Sequence, residues 1–359
     1  MLYRFALIVR KELLCIRENP LFHLVAVLSP LFFLAVFTFM LSDGVSFPFH
    51  VSPADRDTAF LRSAETFAAP NGIGYLELVE TPGDLSRTSH YDALAVAEDP
   101  VYEDGALHGT LIHYINDVDQ NALKNSRNRV DGALVHYIEQ VRPTGNVAVR
   151  EETVYPEDVP WDAGFGTSVF VFGFLLSGLF LGALSIVAEH DDRTVLTLRL
   201  APCPSLFVLG GKLCAGLLGT TVSGLIFYAA YACTFRRFAA HPLALIGLGL
   251  LTCLAFLCVG MLIGIALKTA VSSLVACMGT AMTLWILGGG FGPLTFFGRA
   301  ANLLAAIDPI TYVVKSVRWC YFDGTAPLLR DGLVPLLSTA AAVLACGAVY
   351  RRWTAKTEG

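Results

Sequence analysis

The sequence predicts an α-helical polytopic membrane protein with about six transmembrane helices and an inserted α/β domain. The chain of 359 residues is 55% hydrophobic and only 15% charged, whereas soluble domains carry roughly 25% charged residues. The charged residues concentrate in 43–162 and near the two ends, and long uncharged stretches separate these regions. One soluble domain inserted into a membrane-embedded chain accounts for both observations.

The charges divide the chain into an acidic insert and basic flanks. Asp and Glu outnumber Lys and Arg in 43–162, and the reverse holds elsewhere. This distribution argues against nucleic acid as a partner. None of the nine cysteines lies in the insert and no CxxC pair occurs, so a disulfide framework there and a zinc-ribbon motif are both excluded. We interpret the cysteines as small apolar residues of the helices.

Six apolar windows reach the length of about 20 residues that a membrane-crossing helix needs. Helices are expected because the bilayer core offers the backbone no other hydrogen-bond partners. We assign 19–42 to an uncleaved first span, since its apolar run exceeds a signal-peptide core and no A-x-A-like site follows. The six windows are 21–41, a stretch within 163–188, 212–234, 243–267, 270 to about 288, and 332–350.

The basic residues near the ends of the spans predict an orientation. If the N-terminus is inside, the inner segments hold more Lys and Arg than the short outer ones, although Arg236 and Arg237 oppose the trend. By the positive-inside rule, both termini, including the tail 351–359, are expected in the cytoplasm. The insert 43–162 is then extracytoplasmic, and 163–350 holds the remaining spans.

Residues 1–18 have the pattern of an amphipathic helix. Apolar residues fall on one face at helical spacing, and Arg and Lys fall on the others. Such a helix lies at the membrane surface with its bases toward anionic lipid headgroups, and Pro20 separates it from the first span. Two interpretations stay open: a simple anchoring flank, or a helix that also contacts a cytoplasmic partner.

The sequence pattern of the insert predicts a small α/β domain. Residues 75–80, 92–97, 107–115 and 147–154 have strand patterns, and 119–141 has a helical one. Its histidines show no HxH or HxxxH spacing, so we expect no metal site. These histidines are His50, His90, His108, His113 and His136.

No motif for covalent chemistry or nucleotide binding is present. Gly211-Lys212 is followed by Leu213 and lacks the earlier glycine of a phosphate-binding loop. GxSxG and HExxH motifs are absent, and no charged residue is expected in the middle of a span, which disfavours an ion relay. The sequence therefore predicts no catalytic residues, no metal and no cofactor in this chain.

The loop 189–205 is charged at its start and ends at two prolines. We predict a short surface helix over 191–200, with Asp191 or Asp192 at its positive N-terminus and Arg199 near its C-terminus. Such a helix suits the docking of a soluble partner, and an ordinary interfacial loop is the alternative.

A second unusual region, 288–325, follows the fifth span. Its run of glycines ends at Pro293 and must interrupt a helix, and Asp308-Pro309 interrupts the next apolar element. A broken or re-entrant pair on the outer side fits this pattern, because irregular backbone at membrane depth must be packed in protein or line a cavity. A role at the exit of a translocation path and plain packing are equally compatible.

Several segments together resemble the ABC-2 family of ABC-transporter permeases, in the subgroup with a large extracytoplasmic domain between the first and second spans. One departure is Arg193, where the family often has glycine before the loop threonine. The segments that carry the resemblance are Arg10-Lys11-Glu12-Leu13 with Arg17-x-x-Pro20, Glu189 to Thr194 with Pro204 and Gly211-Lys212, Asp308-Pro309-x-Thr311-Tyr312, Tyr91 to Val96, and Tyr114 to Leu123.

The resemblance implies the membrane subunit of an ATP-driven exporter in a bacterial or archaeal cytoplasmic (inner) membrane. A separate dimeric ABC ATPase would hold ATP and Mg²⁺, and a second permease chain, identical or related, would complete the path. The implied ATPase-coupling residues are Lys11, Glu12, Arg17, Glu189, Asp191, Asp192, Arg193, Thr194, Arg199 and Pro204. The resemblance also implies that Asp308, Pro309 and Tyr312 belong to an outer element of the translocation path.

The main alternative is a non-transporting membrane sensor or assembly protein that displays the insert. The cargo stays open among lipids, glycolipids, peptides and drugs, because the residues of the spans are uniformly apolar or small.

Overall fold

The computed structural model describes most of the chain and resolves it into two units. The described residues are 2–41, 48–68, 74–87, 92–103, 106–115, 120–141, 161–195, 203–292, 298–323, 327 and 329–355. One unit comprises Met1–Met40 and Thr153–Gly359, and the other comprises Leu41–Glu152. The first is helical and the second mixes strands with helices, which confirms the predicted fold class.

The elements follow the chain in a simple order. They are α1 (Leu2–Glu18), α2 (Pro20–Leu41), β1 (Pro48–Val51), α3 (Ala59–Thr66), β2 (Glu77–Glu80), β3 (Ala93–Glu103), β4 (Ala106–Tyr114), α4 (Gln120–Val141), α5 (Trp161–Asp191), α6 (Ser205–Phe235), α7 (Pro242–Leu267), α8 (Ala270–Leu287), α9 (Arg299–Ile307), α10 (Pro309–Phe322) and α11 (Leu329–Ala355). Among the described residues, six helices are long and apolar enough to cross a membrane: α2, α5, α6, α7, α8 and α11.

Helix α5 is the centre of the helical unit, and its most apolar window is 94% buried. Glycines allow α5 and α7 to approach closely. A Cβ atom on Gly182 would lie 2.2 Å from the carbonyl oxygen of Leu257, and one on Gly260 would lie 2.1 Å from that of Leu179. The two backbones are therefore in direct contact, as small residues permit between membrane helices.

The predicted interruption after the fifth span is present. Helix α8 ends at Leu287, and Gly289 adopts a left-handed conformation with φ of 77°. Helices α9 and α10 follow, with a break between them at Asp308. At 1.5 Å per residue neither helix is long enough to cross the bilayer alone.

The insert contains a four-stranded sheet in the order β2-β1-β3-β4. Strand β1 is parallel to β2 and β3, whereas β3 and β4 are antiparallel. Phe49, Val51 and Leu94 of the sheet form a core with Phe60 of α3 and Tyr137 of α4. The sequence did not indicate β1 and α3, because elements this short show no clear periodicity. The strand predicted over 147–154 lies outside the described residues.

Candidate functional site

Helix α1 packs against the first turns of α6. A Cβ atom on Gly211 would lie 2.5 Å from the side chain of Ile8, and the rings of Phe5 and Phe207 are 5.5 Å apart in an edge-to-face arrangement. The amphipathic helix therefore contacts the bundle and not lipid alone. We call this end of the helical unit, where α1, the end of α5 and the start of α6 meet, the polar end.

Three charged side chains meet inside the polar end. Glu12 of α1, Glu189 of α5 and Lys212 of α6 are each at most 2% exposed. The Lys212 ammonium donates to Glu12 at 2.7 Å, to Glu189 at 2.8 Å and to the carbonyl oxygen of Ser185 at 2.9 Å. These contacts use all three donor positions of the ammonium group.

Two further residues complete this ion cluster. The half-exposed Lys11 donates to Glu12 at 3.1 Å and also to Glu189. The Thr194 hydroxyl donates to the other carboxylate oxygen of Glu189. Two cations thus balance two carboxylates, which is the condition for burying charge in a medium of low dielectric constant. The ion cluster ties α1, α5, α6 and the turn after α5 together.

The turn after α5 carries exposed charges of the loop 189–205. Asp191 is the last residue of α5 and not the first residue of a following helix, because the backbone turns over 192–194. Asp191, Asp192 and Arg193 are exposed. Arg193 has a φ of 53°, a left-handed conformation that glycine adopts at lower cost. The departure at Arg193 thus falls at a position where glycine would be less strained.

The structure brings together only part of the predicted coupling set. Lys11, Glu12, Glu189 and Thr194 belong to the ion cluster. Arg17 is exposed at the end of α1, and Pro204 is the residue that precedes α6. Arg199 and most of the helix predicted over 191–200 lie outside the described residues.

Lys212 was not among the predicted site residues. The third span was placed at 212–234, which made Lys212 a flanking base, but α6 begins at Ser205 and buries Lys212 two turns into the helix. Lys212 thus lies near the start of the 31-residue helix α6 and not at its middle, so the expectation of no charged residue in the middle of a span is not contradicted. The sequence did hold a signal for this residue: Lys212 is the single charged residue between Pro204 and Arg236, within an otherwise apolar stretch.

The residues predicted for an outer path element lie at the junction between α9 and α10. The Asp308 carboxylate caps α10 by accepting from the Ile310 N–H at 2.9 Å, and Pro309 occupies the first turn. The Tyr312 hydroxyl donates to the carbonyl oxygen of Ala306 at 2.7 Å. All three residues are thus packing elements of this junction, and their role in a path stays a prediction.

Asp308 makes the stability of this junction depend on pH. The residue is 6% exposed and burial raises its pKa to about 6, whereas an unfolded aspartate loses its proton near pH 3.9. The folded state therefore binds more protons between these values, and its stability falls as pH rises from 4 to 7, by about 2–3 kcal/mol. Asp308→Asn keeps the capping acceptor, so its stability should lack this contribution.

Thermal unfolding in detergent at pH 4 and pH 7 measures the effect. The difference between wild type and Asp308→Asn isolates Asp308 from the other carboxylates. Identical pH dependence in the two proteins would show that the Asp308 carboxyl is not perturbed.

The insert holds a Ser-His-Asp cluster that lacks hydrolase geometry. The Ser126 hydroxyl donates to Asp92 and lies 3.0 Å from Nε2 of His113. The Asp92 carboxylate lies 3.6 Å from the same ring nitrogen, whereas a catalytic carboxylate binds the opposite one. Ser126 is also only 2% exposed. The cluster joins α4 to the sheet, and no group of three or more metal-ligating His, Cys, Asp or Glu side chains occurs among the described residues.

Comparison with known proteins identifies a matching family. A family model described as ABC-2 family transporter protein matches residues 22–350. The match begins in α2 and ends in α11, so it reaches all six candidate spans and includes the insert. No curated protein and no solved structure matches the chain.

Proposed function

Because the chain belongs to the ABC-2 family of transporter proteins, we propose that it is the permease subunit of an exporter driven by a separate ATPase subunit. The partner would bind ATP and Mg²⁺, and this chain would form the path together with a second permease chain. The family match favours transport over a non-transporting sensor or assembly protein.

The ion cluster carries the proposal. An ATPase that binds the exposed turn 191–193 would displace Thr194, and Thr194 donates to Glu189. Glu189 in turn shares Lys212 with Glu12. A movement at the surface would therefore reach α1, α5 and α6 at once, because these side chains cannot separate without leaving a charge buried and unpaired.

The proposed arrangement assigns different roles to the predicted coupling residues. Asp191, Asp192 and Arg193 would contact the ATPase, with Arg17 as a further exposed base on α1. Glu189, Glu12 and Lys212 would hold the turn in position from inside. On this proposal the polar end faces the cytoplasm of a bacterial or archaeal cell, both termini are cytoplasmic, and the insert lies outside.

The exposed turn provides the test of this function. The chain is purified from its own host with the ATPase that accompanies it, and ATP hydrolysis is measured in lipid vesicles. Combined replacement of Asp191, Asp192 and Arg193 by alanine should lower hydrolysis about tenfold, the equivalent of roughly 1.4 kcal/mol of lost docking energy. The melting temperature should stay unchanged because these side chains are exposed.

The control is a variant with alanine at Arg299 and Asp323. Both residues are exposed and are distant in sequence from the polar end. Full hydrolysis by the turn variant would contradict the docking role. Purified chains that carry no ATPase at all would contradict the proposed function itself.

A further inference from the structure

Three sulfur atoms converge between α7 and α11. Cys258 and Met261 lie one turn apart on α7, and Cys346 faces them from α11. The Cys346 sulfur is 3.9 Å from the Met261 sulfur, and the Cys258 and Cys346 thiols are within hydrogen-bonding reach of each other. All three side chains are 0% exposed, so water does not compete for them.

This sulfur cluster differs from the other buried cysteines of the spans. The Cys253 thiol lies 3.8 Å from the carbonyl oxygen of Phe174, and the Cys277 thiol lies 3.6 Å from that of Leu179. Those two thiols behave as small weak donors that fill space. At Cys346 the neighbours are sulfur atoms, on a different helix, and sulfur prefers soft metal ions.

The geometry and donor set point to a monovalent soft metal, and we propose that Cys258, Met261 and Cys346 form a binding site for Cu(I). Three sulfurs placed trigonally at metal–sulfur bonds of about 2.3 Å lie about 4 Å from one another. The observed separation of 3.9 Å between Cys346 and Met261 matches one edge of that triangle. Thiolate and thioether sulfurs are the ligands that select Cu(I), and a cysteine that has lost its proton together with Met261 supplies both kinds, whereas a structural zinc site would need a fourth ligand.

The charge of the site suits its apolar surroundings. When Cu(I) binds, one S–H bond loses its proton to solvent and one metal–thiolate bond forms, so the site gains no net charge. A neutral complex avoids the cost of a bare ion in this dry region, where the neighbours are Ile186 and Leu209.

Tyr350 supplies a second, independent observation. Its side chain is 0% exposed, and within the described residues its hydroxyl has no hydrogen-bond partner. Tyr350 follows Cys346 by one helical turn on the same face, and helical side chains lean toward the N-terminus. A thiolate at Cys346 would give this buried donor an acceptor that the neutral thiol provides only weakly.

A cavity lies beside the end of α11 at the polar end. A cavity of about 610 Å³ is lined by Cys203, Val208 and Tyr350. Tyr350 forms part of its wall, and the sulfur cluster lies one turn further along α11. The partly buried Cys203 contributes a further thiol to the wall of this cavity.

The test uses the full-length protein, purified in detergent under anaerobic conditions and titrated with Cu(I) against a chromophoric Cu(I) chelator. We expect about one tightly bound Cu(I) per chain, and X-ray absorption should show sulfur neighbours only, at about 2.3 Å. Met261→Leu preserves volume and folding but removes one sulfur, so it should weaken Cu(I) binding at least ~10-fold. Cys277→Ala, which removes a buried thiol elsewhere, should bind as the wild type does.

Three results would overturn the site. The first is unchanged affinity in Met261→Leu, and the second is nitrogen or oxygen neighbours around the bound copper. The third is a protein that binds no Cu(I) after reduction and whose Cys258 and Cys346 form a disulfide on oxidation, seen as the loss of two hydrogen masses.

Discussion

Replacing Lys212 by methionine is expected to destabilise the helical unit by about 3–5 kcal/mol. Methionine fits the space of the lysine stem but leaves Glu12 and Glu189 buried, with only the half-exposed Lys11 as counter-charge. The N-terminal helix α1 should detach from α6 first, because Glu12 is its buried anchor. Thermal unfolding in detergent and the rate of proteolysis within residues 2–18 measure the two effects.

Two comparisons make the Lys212 result specific. Lys268 is exposed at the end of α7, so Lys268→Met should change stability by less than about 0.5 kcal/mol. Combining Lys212→Met with Glu12→Gln and Glu189→Gln removes all the buried charges and should recover most of the loss. A Lys212→Met protein as stable as the wild type would mean that the ion cluster does not hold α1 on the bundle.

Gly260→Ala is expected to cost about 3 kcal/mol, the upper end of the usual range for overpacking. The added Cβ would lie 2.1 Å from the carbonyl oxygen of Leu179 on the central helix α5. A backbone atom cannot rotate away as a side chain can, so α5 and α7 must move apart. The loss of close packing should appear as a lower melting temperature and a smaller yield of monodisperse protein in detergent.

The matched control lies on the same helix. Gly247 of α7 has nothing within 4 Å of its missing Cβ, so Gly247→Ala should be neutral or stabilise the protein by about 0.5–1 kcal/mol. Equal stability of the Gly260→Ala and Gly247→Ala variants would show that α5 and α7 are not in backbone contact.

The sequence was sufficient for the large-scale architecture of the chain. The six spans follow from uncharged windows, because placing a charged side chain in the bilayer core costs far more free energy than leaving it in water. The break at Asp308-Pro309 follows from proline chemistry, and α10 begins there. In the insert, by contrast, β1 has only four residues and its pairing with β2 and β3 depends on residues distant in the chain.

Composition and spacing alone thus determined a membrane protein with six crossing helices and an inserted domain, and local motifs pointed to its family. Only the tertiary structure decided that Lys212 meets Glu12, a residue 200 positions away, and that Cys346 faces Met261. Helical periodicity specifies which side of a helix is apolar, but it does not specify the neighbouring helix. Contacts between distant side chains depend on how all the helices pack, so both clusters were visible only in the folded chain.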